Sequence, residues 1–184
     1  MRKFRTFLFL FVILCIAVSC GGCSLFGDEE NAVDIENVKV PEDFTFSITW
    51  DVYGISSYNS ADGKLVKTWD ATHPEDYITT LTFSEEELRE IYVKLTQDIN
   101  LYHYGNNYDP SGGILSTPTQ TIIISMTANG KSKTVSCKDI AICTESDCKN
   151  QKAKDFLRVK NEIVSMIKDT EEWLSLPDYE FGYD

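Results

Sequence analysis

From Phe44 onward, apolar and polar positions alternate: Phe44, Phe46, Ile48, Trp50 and Val52 fall on one side, and Thr45, Ser47, Thr49, Asp51 and Tyr53 on the other. A period of two is that of a strand with one face buried. Asp62-Gly63 marks a turn into a short strand over Lys64 to Trp69, and Tyr77 to Phe83 alternates again with Tyr77, Thr79, Leu81 and Phe83 on one side. These three segments predict a meander. The period then changes. Ser84-Glu85-Glu86-Glu87 has the spacing of a capping box, with Phe83 and Leu88 placed as a hydrophobic staple. Leu88, Ile91, Tyr92, Leu95 and Ile99 follow on one helical stripe.

Gln120 to Ala128 and Lys131 to Cys137 flank Asn129-Gly130, the pair best suited to a two-residue hairpin turn with positive φ at both centres. That turn sets the register: Ala128 opposes Lys131, Met126 faces Lys133, Ile124 faces Val135 and Ile122 faces Cys137. A second helix, roughly Gln151 to Asp169, carries Phe156, Val159, Ile163, Met166 and Ile167 on one stripe. The predicted order is β-β-β-α-β-β-α. Both helices follow hairpin-type strands, so the expected class is α+β, an antiparallel sheet of about five strands with two helices packed on one face.

The N-terminus follows a different logic. Arg2, Lys3 and Arg5 precede the apolar run Phe7 to Val18, and small residues follow it, the plan of a secretory signal. The run is shorter than the roughly 20 residues that a membrane-crossing helix needs. Ala17-Val18-Ser19-Cys20 resembles the lipobox of bacterial lipoproteins, in which small residues precede a cysteine that is lipidated before cleavage. The resemblance implies removal of residues 1–19, a diacylglyceryl and acyl (palmitate-type) anchor on Cys20, and a location on the extracytoplasmic side of the cell membrane or envelope. Cys23 is a poorer acceptor, because Cys20 stands at the corresponding position before it. Residues 20–42 read as a lipidated cysteine and flexible acidic tether, and residues 43–184 as a single domain. Segments such as Ser57 to Leu65, Ser116 to Thr121 and Glu171 to Tyr183 also resemble stretches of bacterial lipoproteins of unknown function. That likeness implies location and domain plan only.

Without residues 1–19 the chain keeps 14 basic against 29 acidic residues, a net of −15. Such a surface repels nucleic acid, so the partners expected are the membrane, through lipid on Cys20, and a protein or saccharide ligand. The length suits one domain and is too short for a two-lobed solute receptor. Cys143 and Cys148 are spaced to close a small disulfide loop, an arrangement export permits, while Cys137 on its strand reads as a buried thiol. No C-x-x-C pair occurs and neither histidine is near these cysteines, so no metal site and no cofactor are expected.

No G-x-S-x-G, G-x-x-x-x-G-K-[ST], H-E-x-x-H or G-x-G-x-x-G motif occurs. The long segment Tyr102 to Pro118, between helix and strand, is instead rich in Tyr, Asn, Asp and Gly. Tyr104, Asn107, Tyr108 and Asp109 are the candidate ligand contacts, since tyrosines stack while Asn and Asp hydrogen-bond a sugar or peptide. The competing reading buries Tyr102 and Tyr104 under the sheet edge. Oxygens of Asn106, Asn107 and Asp109 lack EF-hand spacing. The aromatic tail from Thr170 is expected to clamp Trp173, Leu176 and Phe181 against the core. The leading expectation is a non-catalytic binding or interaction domain. The alternatives are an envelope hydrolase with Asp109 or Asp51 as acid or base and His103 assisting, and a structural envelope protein that binds a partner through its tail.

Overall fold

The computed structural model describes residues 35–182. The expected signal peptide, Cys20, Cys23 and the tether as far as Asp34 lie outside them. Six strands form one sheet: β1 (Thr45–Trp50), β2 (Ser56–Asn59), β3 (Lys64–Val66), β4 (Ile78–Thr80), β5 (Thr119–Ala128) and β6 (Lys131–Ala141). The spatial order is β4-β3-β2-β1-β5-β6, with every neighbouring pair antiparallel. Helix α1 (Glu85–Val93) lies between β4 and β5 in sequence, and α2 (Gln151–Lys168) and the single turn α3 (Glu171–Leu174) follow β6. The fold is α+β, as the sequence predicts.

One strand more than expected is present. β2, Ser-Ser-Tyr-Asn, pairs with β1 from Ser47↔Asn59 to Trp50↔Ser56. Three expected strands are also shorter, one of them β4, which keeps only Ile78–Thr80 of the expected Tyr77 to Phe83. β1 ends at Trp50, because Asp51 turns to φ 73° and Val52 meets Gln120 only as an isolated bridge. β3 ends at Val66, which leaves Trp69 outside the sheet.

The hairpin β5–β6 has the predicted register at all four pairs, with Asn129 and Gly130 at φ 53° and 69°. Past Cys137 the register shifts by one residue, with Asp139 at φ 51°. This bulge returns Ile140 to the core side opposite Gln120.

One sheet face presents Phe46, Ile48, Trp50, Tyr58, Leu65, Ile122, Ile124, Met126, Val135 and Cys137, all buried. Ile91 from α1, with Leu95 and Ile99 just beyond it, and Phe156, Val159, Ile163 and Ile167 from α2 complete the same core. The opposite face carries the alternate residues. One row crosses all six strands as Thr134, Ser125, Ser47, Asn59, Lys64 and Thr80, with a single charge among them.

The α1 N-terminus is built as its sequence predicts: Ser84 Oγ accepts from the Glu87 amide at 3.2 Å, and Glu87 Oε2 accepts from the Ser84 amide at 2.7 Å. Ser84→Ala is expected to cost about 1 kcal/mol of unfolding free energy in urea. A loss below the error of the measurement would show that the box is replaced by water. At the β2–β3 turn, Gly63 has φ +70°, and a Cβ there would lie 2.9 Å from the Leu81 carbonyl oxygen, so only glycine fits.

Candidate functional site

Between α1 and β5 the chain runs along the outer side of β6. The Ser136 amide donates to the Asn106 carbonyl at 2.8 Å, and the Tyr108 amide donates to the Ser136 carbonyl at 3.0 Å. Lys133 Nζ donates to the Tyr104 carbonyl at 2.6 Å and to Asn106 Oδ1 at 2.8 Å. Lys149 Nζ bonds the Asp109 carbonyl and lies 4.8 Å from the centre of the Tyr108 ring. Gly112, at φ +68°, passes so close to Lys149 that a Cβ would sit 2.9 Å from the lysine Cβ. These contacts hold the segment as one wall of a groove of about 440 Å³. Asn107, Tyr108, Asp109, Ile114 and Leu115 line that wall, facing Ser136, Lys138, Asp139 and Ile140 of β6. Leu115 is 92% exposed, an apolar lip on a polar groove.

Three of the four expected ligand contacts therefore meet in one place, and Tyr104 does not. Tyr104 is buried, its ring 5.0 Å from that of Tyr108 and 5.2 Å from that of Phe156, and its hydroxyl donates to the Lys152 carbonyl at 2.9 Å. It supports the groove from below, as the competing reading has it, and burial raises its pKa. Tyr102, by contrast, is exposed and donates to the Lys131 carbonyl. Tyr108 presents its ring edge-on to Tyr104, with its hydroxyl pushed up to about 12 chiefly by burial.

Asp109 is not poised as an acid. Partial burial opposes its charge, but Oδ1 accepts from the Ser111 hydroxyl at 2.6 Å and the Ser111 amide at 2.9 Å, and Lys149 lies nearby. Together these hold the carboxyl below its ordinary range. His103 is exposed, and its carbonyl takes the Lys152 ammonium at 2.8 Å. The contacts of Asp51 lie with other residues, described below, so the acid–base set of the hydrolase alternative is not assembled around His103. Among the described residues no three His, Cys, Asp or Glu side chains converge as a metal site.

Cys143 and Cys148 are free thiols, so the bridge expected between them is not formed here. Asp147 Oδ2 instead closes the intervening turn by accepting from the Thr144 amide and hydroxyl, each at 2.8 Å. Cys137 is a buried thiol, as expected, pushed up to about 12 by burial, and Cys143 is pushed up to about 11 for the same reason. Thiols so far from ionising are weak nucleophiles.

A second constellation lies where β1 ends, assembled from residues that no local motif connects. Asp51 Oδ2 accepts from Ser56 Oγ at 3.0 Å and Tyr179 Oη at 3.2 Å, and stands 3.7 Å from Lys168 Nζ. Ser56 is fully buried, and the Lys67 carbonyl, 2.6 Å from its Oγ, shares the one hydroxyl proton with Asp51. Lys67 Nζ reaches the Leu176 carbonyl at 3.3 Å and lies 5.4 Å from the Trp173 ring centre. Burial lowers the pKa of Lys160, against the pull of Asp51. The turn is tight: Asp51, Tyr53 and Gly54 all have positive φ, and the Asp51 carbonyl accepts from the Gly54 and Thr121 amides. Each such conformation costs a non-glycine residue on the order of 1–3 kcal/mol, and strain of this kind concentrates at functional sites.

The tail clamps as predicted at Trp173, which is buried, and at Leu176, which is half-buried, but Phe181 is 47% exposed. The Phe181 ring is attached through its neighbours. Glu180 accepts from the Thr72 amide and hydroxyl at 2.7 and 2.5 Å, and Tyr77 Oη donates to the Asp178 carbonyl at 3.1 Å.

Compared with known proteins, the chain matches no family model, no curated protein and no solved structure. Among the described residues no helix is long and apolar enough to cross a membrane.

Proposed function

We propose that this chain is a bacterial lipoprotein, exported, cleaved before Cys20 and anchored by lipid on the extracytoplasmic side of a membrane, whose domain is a non-catalytic binding module. Support for the anchor is the sequence itself: a basic start, a short apolar run and Ala17-Val18-Ser19-Cys20. One observation carries the binding reading. A long segment that could simply have connected α1 to β5 is fastened to β6 as the wall of a groove, with Asn107, Asp109 and the exposed Leu115 along it. A few polar groups on a partly apolar concave surface are what a binding site needs. Of the two carboxylates in its lining, Asp109 is engaged by Ser111 and Asp139 sits at the β6 bulge.

The anchor is tested by the intact mass of the chain extracted from membranes. The expected mass is that of residues 20–184 with lipid on the first, and Cys20→Ala should abolish both lipid and membrane retention. An unlipidated wild-type chain would end the lipoprotein reading. The groove is tested by immobilising the chain and measuring retention of envelope-derived peptides and glycans. Asn107→Ala and Leu115→Asp should reduce retention while leaving the unfolding midpoint unchanged. Retention unaltered by both would place binding elsewhere.

A further inference from the structure

The three tryptophans of the chain, Trp50, Trp69 and Trp173, gather at the end of the sheet where β1 runs into Asp51. The Trp50 and Trp173 rings lie 5.8 Å apart in the core, and Trp69 Nε1 donates to the Gly54 carbonyl at 3.0 Å. Unlike the other two, Trp69 is 55% exposed, and it shares this end with the exposed rings of Tyr53, Tyr179 and Phe181. Under Tyr179 and Phe181 is a cavity of about 240 Å³ lined also by Asp51, Val52, Ile55 and Lys168; Trp69 is not in its lining but is fastened beside it, its amide donating to the carbonyl of the lining residue Ile55 at 3.1 Å. Clustered exposed aromatic surface rimmed by polar groups marks a binding site rather than a solvated surface.

The chemistry of the lining selects the ligand. The three side-chain contacts of Asp51 described above all go to Oδ2, so among the described residues Oδ1 is an open acceptor, and Lys168 is a donor on the same wall. Acceptor and donor carry opposite charges 3.7 Å apart, and the neighbouring Lys67 is buried with its ammonium on the Leu176 carbonyl, so the cavity lining itself presents one charge of each sign. An anion faces the repulsion of the surrounding acidic chain. A purely apolar ligand would cover Asp51 Oδ1 and the Lys168 ammonium without giving either a new partner in place of water, which is costly. A neutral ligand rich in hydroxyl groups satisfies both, since each hydroxyl donates and accepts. The ring faces supply rigid, amphipathic contact area at low entropic cost. An extended peptide has little to add to at the β4 edge, which is three residues long.

We propose that this end of the domain is a binding site for a neutral saccharide, with Trp69 and Phe181 stacking on sugar C–H faces, Asp51 Oδ1 accepting from a ring hydroxyl and Lys168 Nζ donating to another. The tail is part of the site, because the Glu180–Thr72 hydrogen bonds hold Tyr179 and Phe181 over the cavity. The assignment needs neither the lipid nor the groove beside β6.

The test is titration of the full chain in detergent with maltotriose, cellotriose and tri-N-acetylchitotriose, each separately, followed by tryptophan fluorescence and calorimetry. At least one trisaccharide should bind and shift the emission. Trp69→Ala and Asp51→Asn should each weaken that binding roughly tenfold or more, the scale of a binding hot spot. Leu115→Asp, in the separate groove, should leave it unchanged, so failure of this site and failure of the groove are told apart. Trp69 and Asp51 are not wholly buried, and unchanged urea midpoints would confirm that both variants fold. No response to any of the three at up to about 10 mM, beyond the weakest affinities of interest, would overturn the proposal. So would a trisaccharide affinity that both variants leave intact.

Discussion

Phe156→Ala is expected to lower the unfolding free energy by about 3–5 kcal/mol, the usual range for removing a fully buried aromatic side chain. Phe156 has no exposed surface and sits on α2 with ring contacts to Tyr104 at 5.2 Å and Tyr108 at 5.4 Å. It is thus the floor on which the groove segment rests. The loss should therefore be accompanied by faster amide exchange over residues 104–110, measurable by mass spectrometry, while the β5–β6 hairpin amides shift only with global stability. A drop of less than about 1 kcal/mol would mean that neighbouring side chains collapse into the space, as the spread of such measurements allows. Faster exchange without loss of stability would instead separate the groove segment from the core that supports it.

Trp173→Ala is expected to have an effect of similar size, about 3–5 kcal/mol, by a different route. Trp173 is the hydrophobic anchor of the C-terminal segment. Its ring meets Trp50 in the core, and the ammonium groups of Lys67 and Lys168 lie 5.4 and 5.5 Å from its centre. Each cation–ring contact adds on the order of 0.5–2 kcal/mol, depending on how much water is excluded. The Lys67 bond to the Leu176 carbonyl depends on the same placement. The variant should lose tail protection in amide exchange and become sensitive to protease cleavage after Leu174 at protein concentrations where the native chain is intact. If urea unfolding shifts but the tail stays protected, the Thr72–Glu180 and Tyr77–Asp178 hydrogen bonds suffice to hold it.

The elements that sequence alone resolves are those whose determinants are local. Asn129-Gly130 sets the hairpin register because a two-residue turn leaves no freedom between the strands, and Ser84 with Glu87 fixes the start of α1 within one turn of helix. β2 escapes the same reading because Ser-Ser-Tyr-Asn has one apolar side chain, and a period of two needs more than one. Its pairing comes from β1 on one side and β3 on the other, a tertiary cause. Asn107, Tyr108 and Asp109 could be singled out since they are adjacent, and the direction of Tyr104, three residues earlier, could not. It turns inward because Phe156, 52 residues further on, offers a ring to pack against. The Asp51 end was illegible for the same reason. Asp51, read from sequence as a candidate acid or base, has no neighbour in the chain that reveals its partners, and Tyr179 joins it across 128 residues of chain.

The two outer strands of the sheet bear on how the domain behaves in a crowd. An unpaired strand edge is a template on which other chains can stack, and proteins blunt such edges with short strands, bulges, lysines or a covering segment. β4 is three residues long. β6 is eleven residues long, but its outer side is occupied at Ser136 by the segment around Asn107, bent at Asp139 and studded with Lys131, Lys133 and Lys138. Neither side offers a flat run for a passing strand, so what would be the nucleus of an aggregate is closed off twice. The bulge that turns Ile140 into the core thus also keeps neighbouring molecules from zipping together.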